Sequence, residues 1–280
     1  PPARIFRGLQ GFSGIKVGSL RLHNAAVCGI EGGMRGICTI LLMFMSLPLQ
    51  AATYWAAGVS ADSGWFDFNK THQKGKEGDD LLCWAVAASN LLAWWQQQNP
   101  ERVPQGTPQA EAVWAAFQQA FENEGSDPDQ GLRWWFSGEY LQPSPANAGR
   151  CAVLRDGCRG GFYFGKSPAP EQVLYNGRGA AVTSQSLTDA LLCGFRRGDA
   201  FWLGASCRKP DGSRFMHSIT VWGVDAGTAQ DGKERVTAIY MCDSDDRARC
   251  LHRIPVREVE GMLAFDCAEH PVYGRLGLVT

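Results

Sequence analysis

The sequence predicts an α+β fold, with a helical lobe in the first half of the chain and an antiparallel β lobe in the second. Apolar residues recur at helical spacing over residues 81–98 and again over residues 107–124. The second half contains short alternating stretches separated by turn residues, which are typical of antiparallel strands. Two such lobes predict a cleft between them.

The strongest predicted helix spans residues 81–98. Asp79 and Asp80 precede it, where negative charge favours the helix dipole, and Asn99-Pro100 ends it. A second helix is predicted over residues 107–124. It carries apolar residues at helical spacing: Val113, Trp114, Phe117 and Phe121.

The second half begins with a predicted helix over residues 186–197, with Ser186 as its cap. Strands are then expected at residues 200–207, 215–224 and 236–242, with further candidates at 253–256 and 275–279. The pair Asp231-Gly232 predicts a hairpin turn between the second and third of these strands.

The beginning of the chain is typical of an exported protein. Met34-Arg35, an apolar run over residues 37–49 and a small-residue exit at Ala51-Ala52 form the parts of a secretory signal. The prediction is an upstream segment at 1–33 outside the mature protein, a signal peptide at 34–52 and one folded domain at 53–280. The alternative is that the apolar run is a buried helix of the mature fold.

Charge and hydropathy exclude some partners. The net charge of −1 provides no basic field for nucleic acid, so no nucleic-acid partner is expected. Beyond the proposed signal, no segment is long and apolar enough to predict a transmembrane helix or a stable membrane anchor.

Cysteine content favours an oxidising compartment. Ten cysteines are present, and most follow the proposed signal. The local pairs Cys151–Cys158 and Cys242–Cys250 are the favoured disulfides, although spacing does not determine connectivity. A zinc site is the weaker alternative, because no CxxC is present and only His252 lies near the second pair.

Cys83 is the candidate nucleophile. It lies in the first turn of the strongest predicted helix, where backbone N–H groups and the helix dipole stabilise a thiolate. The alternative is a buried structural or disulfide-bonded cysteine.

His217 is the candidate base. Alternation places it inside a predicted strand, on the same face as Ile219 and Val221, where it is alternatively a core histidine. His217 follows Cys83 by 134 residues. This is similar to papain-like enzymes, in which the histidine follows the cysteine by about 130–150 residues. Trp84, directly after Cys83, matches the aromatic residue that follows the nucleophile in the papain-type signature. That signature has small residues before the nucleophile, whereas this sequence has Leu81-Leu82.

Asp243 is the candidate that orients the base. It ends the strand after His217, so a hairpin brings its carboxylate towards the imidazole. One alternative is a solvated acidic loop. A calcium loop is weaker, because the required glycine and glutamate are replaced by Ala248 and Ile254.

These motifs resemble the Mac/IdeS family of immunoglobulin-degrading cysteine endopeptidases. The resemblance spans about residue 60 to the C-terminus and is most specific around the three candidate residues. The segments that carry it are Gly64-Trp65-Phe66-Asp67, Lys70-Thr71, Asp79 to Cys83, Asn90-Leu91-Leu92, Trp94-Trp95, Arg159-Gly160-Gly161, His217 to Gly223, Ala238-Ile239-Tyr240 and Asp243-Ser244-Asp245.

The resemblance implies a papain-like cysteine peptidase fold and proteolysis by Cys83, His217 and Asp243. It further implies that Asp245 supports the site and that Lys70 forms the oxyanion hole with the Cys83 backbone N–H. It implies a protein substrate, with immunoglobulin as the analogy, and no metal or organic cofactor. The remaining alternatives are another papain-clan amidase, a transglutaminase-like enzyme and a non-catalytic decoy that binds a host protein.

Overall fold

The described part of the chain begins with the residue that ends the predicted signal. The computed structural model describes residues 52–140, 144, 151–163, 183–208, 214–229, 231–246, 248–259, 261–265 and 277–279. The predicted upstream segment 1–33 and the signal peptide, apart from Ala52, lie outside the described residues. Within the described ranges, no helix has the length and apolar character needed to cross a membrane.

Helices and strands are segregated along most of the chain. The described helices are α1 (Cys83–Gln98), α2 (Glu111–Ala120), α3 (Pro128–Ser137) and α4 (Ser184–Arg197). The strands are β1 (Ala52–Trp55), β2 (Phe201–Arg208), β3 (Arg214–Thr228), β4 (Glu234–Cys242), β5 (His252–Val259), β6 (Met262–Phe265) and β7 (Gly277–Val279). This arrangement confirms the α+β prediction, whereas the papain-like fold stays a prediction.

All strand pairings among the described residues are antiparallel, and six of the strands form a closed ring. The order is β3-β2-β7-β6-β5-β4, and β4 pairs with β3 again. Strand β1 joins outside the ring, alongside the second half of β3. The fifteen-residue β3 therefore contacts three strands and is the centre of the β lobe.

Helix α1 is the core of the helical part. Its residues from Trp84 to Gln96 are all buried, as expected for a helix that is covered on every side. It packs against β3 and β2 on one side and against α2 and α3 on the other. Asn99 ends α1 by donating from Nδ2 to the carbonyl of Trp95, and Pro100 prevents its continuation.

A close approach of two strands requires a glycine in β3. A Cβ atom on Gly223 would lie 2.5 Å from the Trp55 ring and 2.9 Å from the Tyr54 carbonyl oxygen. The pairing with β4 also shifts register between Val221 and Gly223. Gly223 therefore permits β1 to dock where the strand changes its register.

The helix predicted over residues 107–124 was too long at both ends. Helix α2 covers only Glu111–Ala120. Ala110 has a φ of 49°, which is outside the right-handed helical region, and Phe121 is extended and pairs with Leu154. The apolar spacing continues past the end of the helix because Phe121 is buried in the core although its backbone is extended.

The cap predicted for the 186–197 helix was also wrong by one turn. Helix α4 begins at Ser184, and Thr183 is its cap, accepting a hydrogen bond at Oγ1 from the Ser186 backbone N–H at 3.1 Å. Ser186 is therefore the residue that the cap satisfies.

Neither favoured disulfide forms. Cys158, Cys242 and Cys250 carry free thiols in the structure. Cys158 Sγ faces the carbonyl of Gln119 at 3.5 Å. Cys242 is buried in the core, whereas Cys250 Sγ faces Asp246 Oδ2 at 3.5 Å in the loop before β5.

Candidate active site

Cys83 is the first residue of α1. Because the first N–H groups of a helix have no partners within it, this position favours a negative charge. Burial raises the pKa of the Cys83 thiol, whereas the positive charge and the hydrogen bond of the neighbouring His217 lower it. The Lys70 ammonium and a hydrogen bond from the Ser218 backbone N–H act in the same direction, so the pKa lies below its usual value.

His217 lies in β3, opposite the start of α1, with 3% of its surface exposed. Burial lowers the pKa of His217, yet the Asp243 carboxylate and the Cys83 thiolate raise it well above its usual value. The imidazole hydrogen-bonds to the side chain of Cys83 on one side and to that of Asp243 on the other. The arrangement favours a thiolate–imidazolium pair.

Asp243 follows β4 directly and is fully buried. His217 Nε2 donates to Asp243 Oδ1 at 2.8 Å, and the Asp245 backbone N–H donates to the same oxygen at 2.9 Å. Because Nε2 is bound by Asp243, Nδ1 is the nitrogen left for Cys83. The β3–β4 pairing, with Thr220 opposite Cys242, brings these residues together.

Lys70 and Asp245 form a second charged pair beside the first. Lys70 Nζ lies 2.5 Å from Asp245 Oδ1, and their side chains are 3% and 12% exposed. Asp245 Oδ2 lies 3.9 Å from His217 Nδ1. Lys70 Nζ also donates to the carbonyl of Asp80 at 2.7 Å. All five residues singled out from the sequence are therefore brought together.

The loop that carries Lys70 is held by Asp79. Its carboxylate accepts hydrogen bonds from the backbone N–H of Thr71 at 2.7 Å and of Gln73 at 3.1 Å. The backbone N–H of Lys70 donates to the carbonyl of Ser244 at 3.1 Å. Asp79 was expected to open the helix, but its carboxylate instead orders the loop before it.

Asn90 connects the three parts of the site. Its Oδ1 accepts from the Phe68 backbone N–H at 2.9 Å, and its Nδ2 donates to Thr220 Oγ1 at 3.1 Å. Helix α1 is thereby tied both to the segment before Lys70 and to β3. Sequence motifs included Asn90 but assigned it no role, and a polar amide in the middle of a mostly apolar helix was the available signal.

Comparison with models of protein families gives a match in the first part of the described chain. The Mac-1 family, described as Mac 1, matches residues 50–119. The resemblance to the Mac/IdeS family is confirmed over that stretch. The matched stretch includes Lys70, Asp79, Cys83 and Asn90 and ends before His217. No curated protein matches the chain. The Mac-1 match suggests a cysteine peptidase.

Proposed function

We propose that this chain is a secreted cysteine endopeptidase that cleaves a host protein through Cys83, His217 and Asp243. One observation carries the proposal: a hydrogen-bonded chain leads from the half-buried Cys83 at the start of α1 to the buried side chains of His217 and Asp243. This arrangement of nucleophile, base and orienting acid is the one that acyl transfer by a thiol requires.

The first half of the reaction forms a thioester. The Cys83 thiolate attacks the carbonyl carbon of the scissile peptide, whose oxygen becomes an oxyanion. The C–N bond then breaks as the His217 imidazolium gives its proton to the leaving amine. The raised pKa of His217 keeps that proton available until the amine departs.

The oxyanion requires donors, and two are near the thiolate. The Cys83 backbone N–H lies at the start of α1, and Lys70 is close enough to lower the pKa of the Cys83 thiol. A lysine ammonium has three N–H donors. Asp245 and the Asp80 carbonyl accept two of them, so the third is assigned to the oxyanion.

The second half of the reaction regenerates the enzyme. Neutral His217 takes a proton from water, and the resulting hydroxide attacks the thioester carbonyl. The C–S bond breaks, the acid product leaves, and the thiolate–imidazolium pair is restored. Asp243 stabilises the imidazolium in both halves without being protonated itself.

Secretion rests on the segment at residues 34–52. Removal after Ala51 leaves all of β1 in the mature protein, and removal after Ala52 shortens it by one residue. Mass spectrometry of the exported protein should place its N-terminus at Ala52 or Thr53. A mature protein that retains residues 41–45 would refute the proposed signal.

Immunoglobulin is the first substrate to test, by analogy with the Mac/IdeS family. Purified protein is incubated with a panel of serum proteins that includes immunoglobulin, and new termini are sequenced. The Cys83→Ala protein is the matched control. New termini that appear only with the intact thiol support an endopeptidase. Release of ammonia or formation of cross-links without new termini would identify an amidase or a transglutaminase-like enzyme instead.

A further inference from the structure

A second cluster of chemically reactive side chains lies in the loop between β4 and β5. His252 Nε2 lies 2.6 Å from Asp246 Oδ2 and 3.1 Å from Cys250 Sγ. Cys250 Sγ lies 3.5 Å from the same Asp246 oxygen. One oxygen, one sulfur and one nitrogen thus converge on a common point, and none of them contributes to the proposed peptidase chemistry.

This loop contacts the segment that leads to Lys70. The Cys250 backbone N–H donates to Asp67 Oδ2 at 2.9 Å. Asn69 Nδ2 donates to the carbonyl of Ala248 at 2.9 Å. Asp246 directly follows Asp245, so the cluster lies at the back of the loop that carries two residues of the candidate active site.

Asp67 provides an independent observation. It is 4% exposed, and among the residues that the structure describes its Oδ1 finds no hydrogen-bond partner. Buried polar atoms are usually satisfied, so such an atom calls for a ligand, an ion or a water.

We propose that Asp246, Cys250 and His252 bind one Zn²⁺ ion. Carboxylate, thiolate and imidazole are all zinc ligands, and the thiolate disfavours Mg²⁺ and Ca²⁺. A water completes the tetrahedron and donates to Asp67 Oδ1. Binding releases the Cys250 thiol proton to solvent.

The geometry needs only a small adjustment. Tetrahedral zinc with bonds of about 2.0–2.3 Å separates its donor atoms by about 3.3–3.6 Å. The sulfur–oxygen gap of 3.5 Å already fits. The His252 side chain is 29% exposed, so its imidazole can move outward. This movement would lengthen its distances to Asp246 Oδ2 and Cys250 Sγ. The ion would fasten the loop that presents Asp243 and Asp245, so its role is structural.

A disulfide between Cys242 and Cys250 competes with this site, because it consumes the Cys250 thiolate. Both thiols are free in the structure. Zinc binding and disulfide formation are therefore mutually exclusive outcomes at one sulfur.

Metal binding is tested in the full chain carrying Cys83→Ala, so that the candidate nucleophile cannot act as a ligand. After treatment with a chelator, the protein is titrated with Co²⁺, which gives a thiolate-to-metal charge-transfer band only if a cysteine is bound. Zn²⁺ then displaces Co²⁺ and is counted by elemental analysis. Further substitutions are Cys250→Ser and His252→Ala, and the control is Cys193→Ser at an exposed cysteine on α4.

The expected result is one zinc per chain, with the cobalt band lost in Cys250→Ser and kept in Cys193→Ser. His252→Ala should weaken zinc at least about a hundredfold, which keeps the test valid if Cys250→Ser does not fold. Asp67 contacts the site through the backbone N–H of Cys250, so Asp67→Asn should weaken zinc binding by about 10–100-fold. The proposal is overturned if zinc fails to bind, if Cys250→Ser keeps the band, or if exported protein contains a Cys242–Cys250 disulfide.

Discussion

Lys70 and Asp245 form an ion pair at the edge of the candidate active site, with Nζ 2.5 Å from Oδ1. The same carboxylate reaches towards His217, 3.9 Å from Oδ2 to Nδ1. Asp245 therefore holds the ammonium on one side and adds negative charge near the imidazole on the other. The two charged pairs of the site are linked through this one side chain.

Replacement of Lys70 tests the oxyanion role. Lys70→Ala should lower kcat by about 100- to 1000-fold with little change in KM, because one oxyanion donor is lost. Alkylation of Cys83 forms no oxyanion and should persist, with its pH profile shifted upward because the pKa-lowering ammonium is gone.

The matched control is Lys76→Ala, which removes a lysine from the same region whose side chain is 79% exposed. It should leave both rates unchanged. Full turnover in Lys70→Ala would remove Lys70 from the oxyanion hole. Complete loss of alkylation would show that Lys70 acts on folding or thiolate formation instead.

Asp243→Asn tests the residue that holds the base. The amide cannot stabilise the imidazolium and favours the wrong tautomer, and the same change in a serine-protease triad lowers kcat by about 10⁴-fold. Cys83 alkylation should fall as well, since the thiolate depends on protonated His217. Asp245→Asn, two residues away, should retain most of the alkylation. Equal retention in both variants would mean that Asp243 does not hold the base.

The charge state of the site predicts a pH window. The thiolate is present above the pKa of Cys83, which is lowered, and the imidazolium is present below the pKa of His217, which is raised. Cys83 alkylation, followed from about pH 4 to about pH 10, should therefore already be fast below the usual thiol pKa of about 8.5. Asp243→Asn should lower the pKa of His217 and so narrow the pH range in which the thiolate and the imidazolium coexist. A Cys83 profile with an ordinary thiol midpoint would contradict the ion pair.

The neighbouring residues Asp79 and Asp80 should respond differently to substitution. Asp79→Ala removes the acceptor for the N–H groups of Thr71 and Gln73, and should reduce the free energy of unfolding by about 2–4 kcal/mol. Asp80 contributes its backbone carbonyl to Lys70, and Asp80→Ala preserves that atom. Urea denaturation compares the two variants. Equal losses would contradict the loop role of Asp79.

Elements with local signals could be predicted from the sequence. Helix α1 has an apolar run and a terminating Asn99-Pro100, and β3 and β4 have alternation and a turn at Gly232, whose φ is 79°. Strands β1 and β6 were not predicted. Each has only four residues and depends on pairing with distant partners, as in the contact of Thr53 with Asp225.

Some residues of the candidate site could likewise be predicted from local sequence patterns, and others could not. The positions of Cys83 at a helix start, His217 on a strand and Asp243 directly after the next strand follow from local patterns. Lys70 came only from the family resemblance, because its partners are a carboxylate and a carbonyl that folding brings to it. The role of Asp79 could not be distinguished from that of Asp80, because both precede the same helix. The spacing placed His252 near Cys250 as a candidate for the weaker zinc alternative, but it did not indicate that Asp246 meets both of them.

The assignment of Cys83 as the nucleophile is tested by comparing Cys83→Ala with Cys193→Ala in cleavage of the protein substrate that the serum panel identifies. Cys193 is an exposed cysteine on α4 and controls for loss of a thiol as such. Cys83→Ala should fold but produce no new termini, whereas Cys193→Ala should cleave at the unmodified rate. Cleavage by Cys83→Ala at the unmodified rate would show that Cys83 is not the nucleophile.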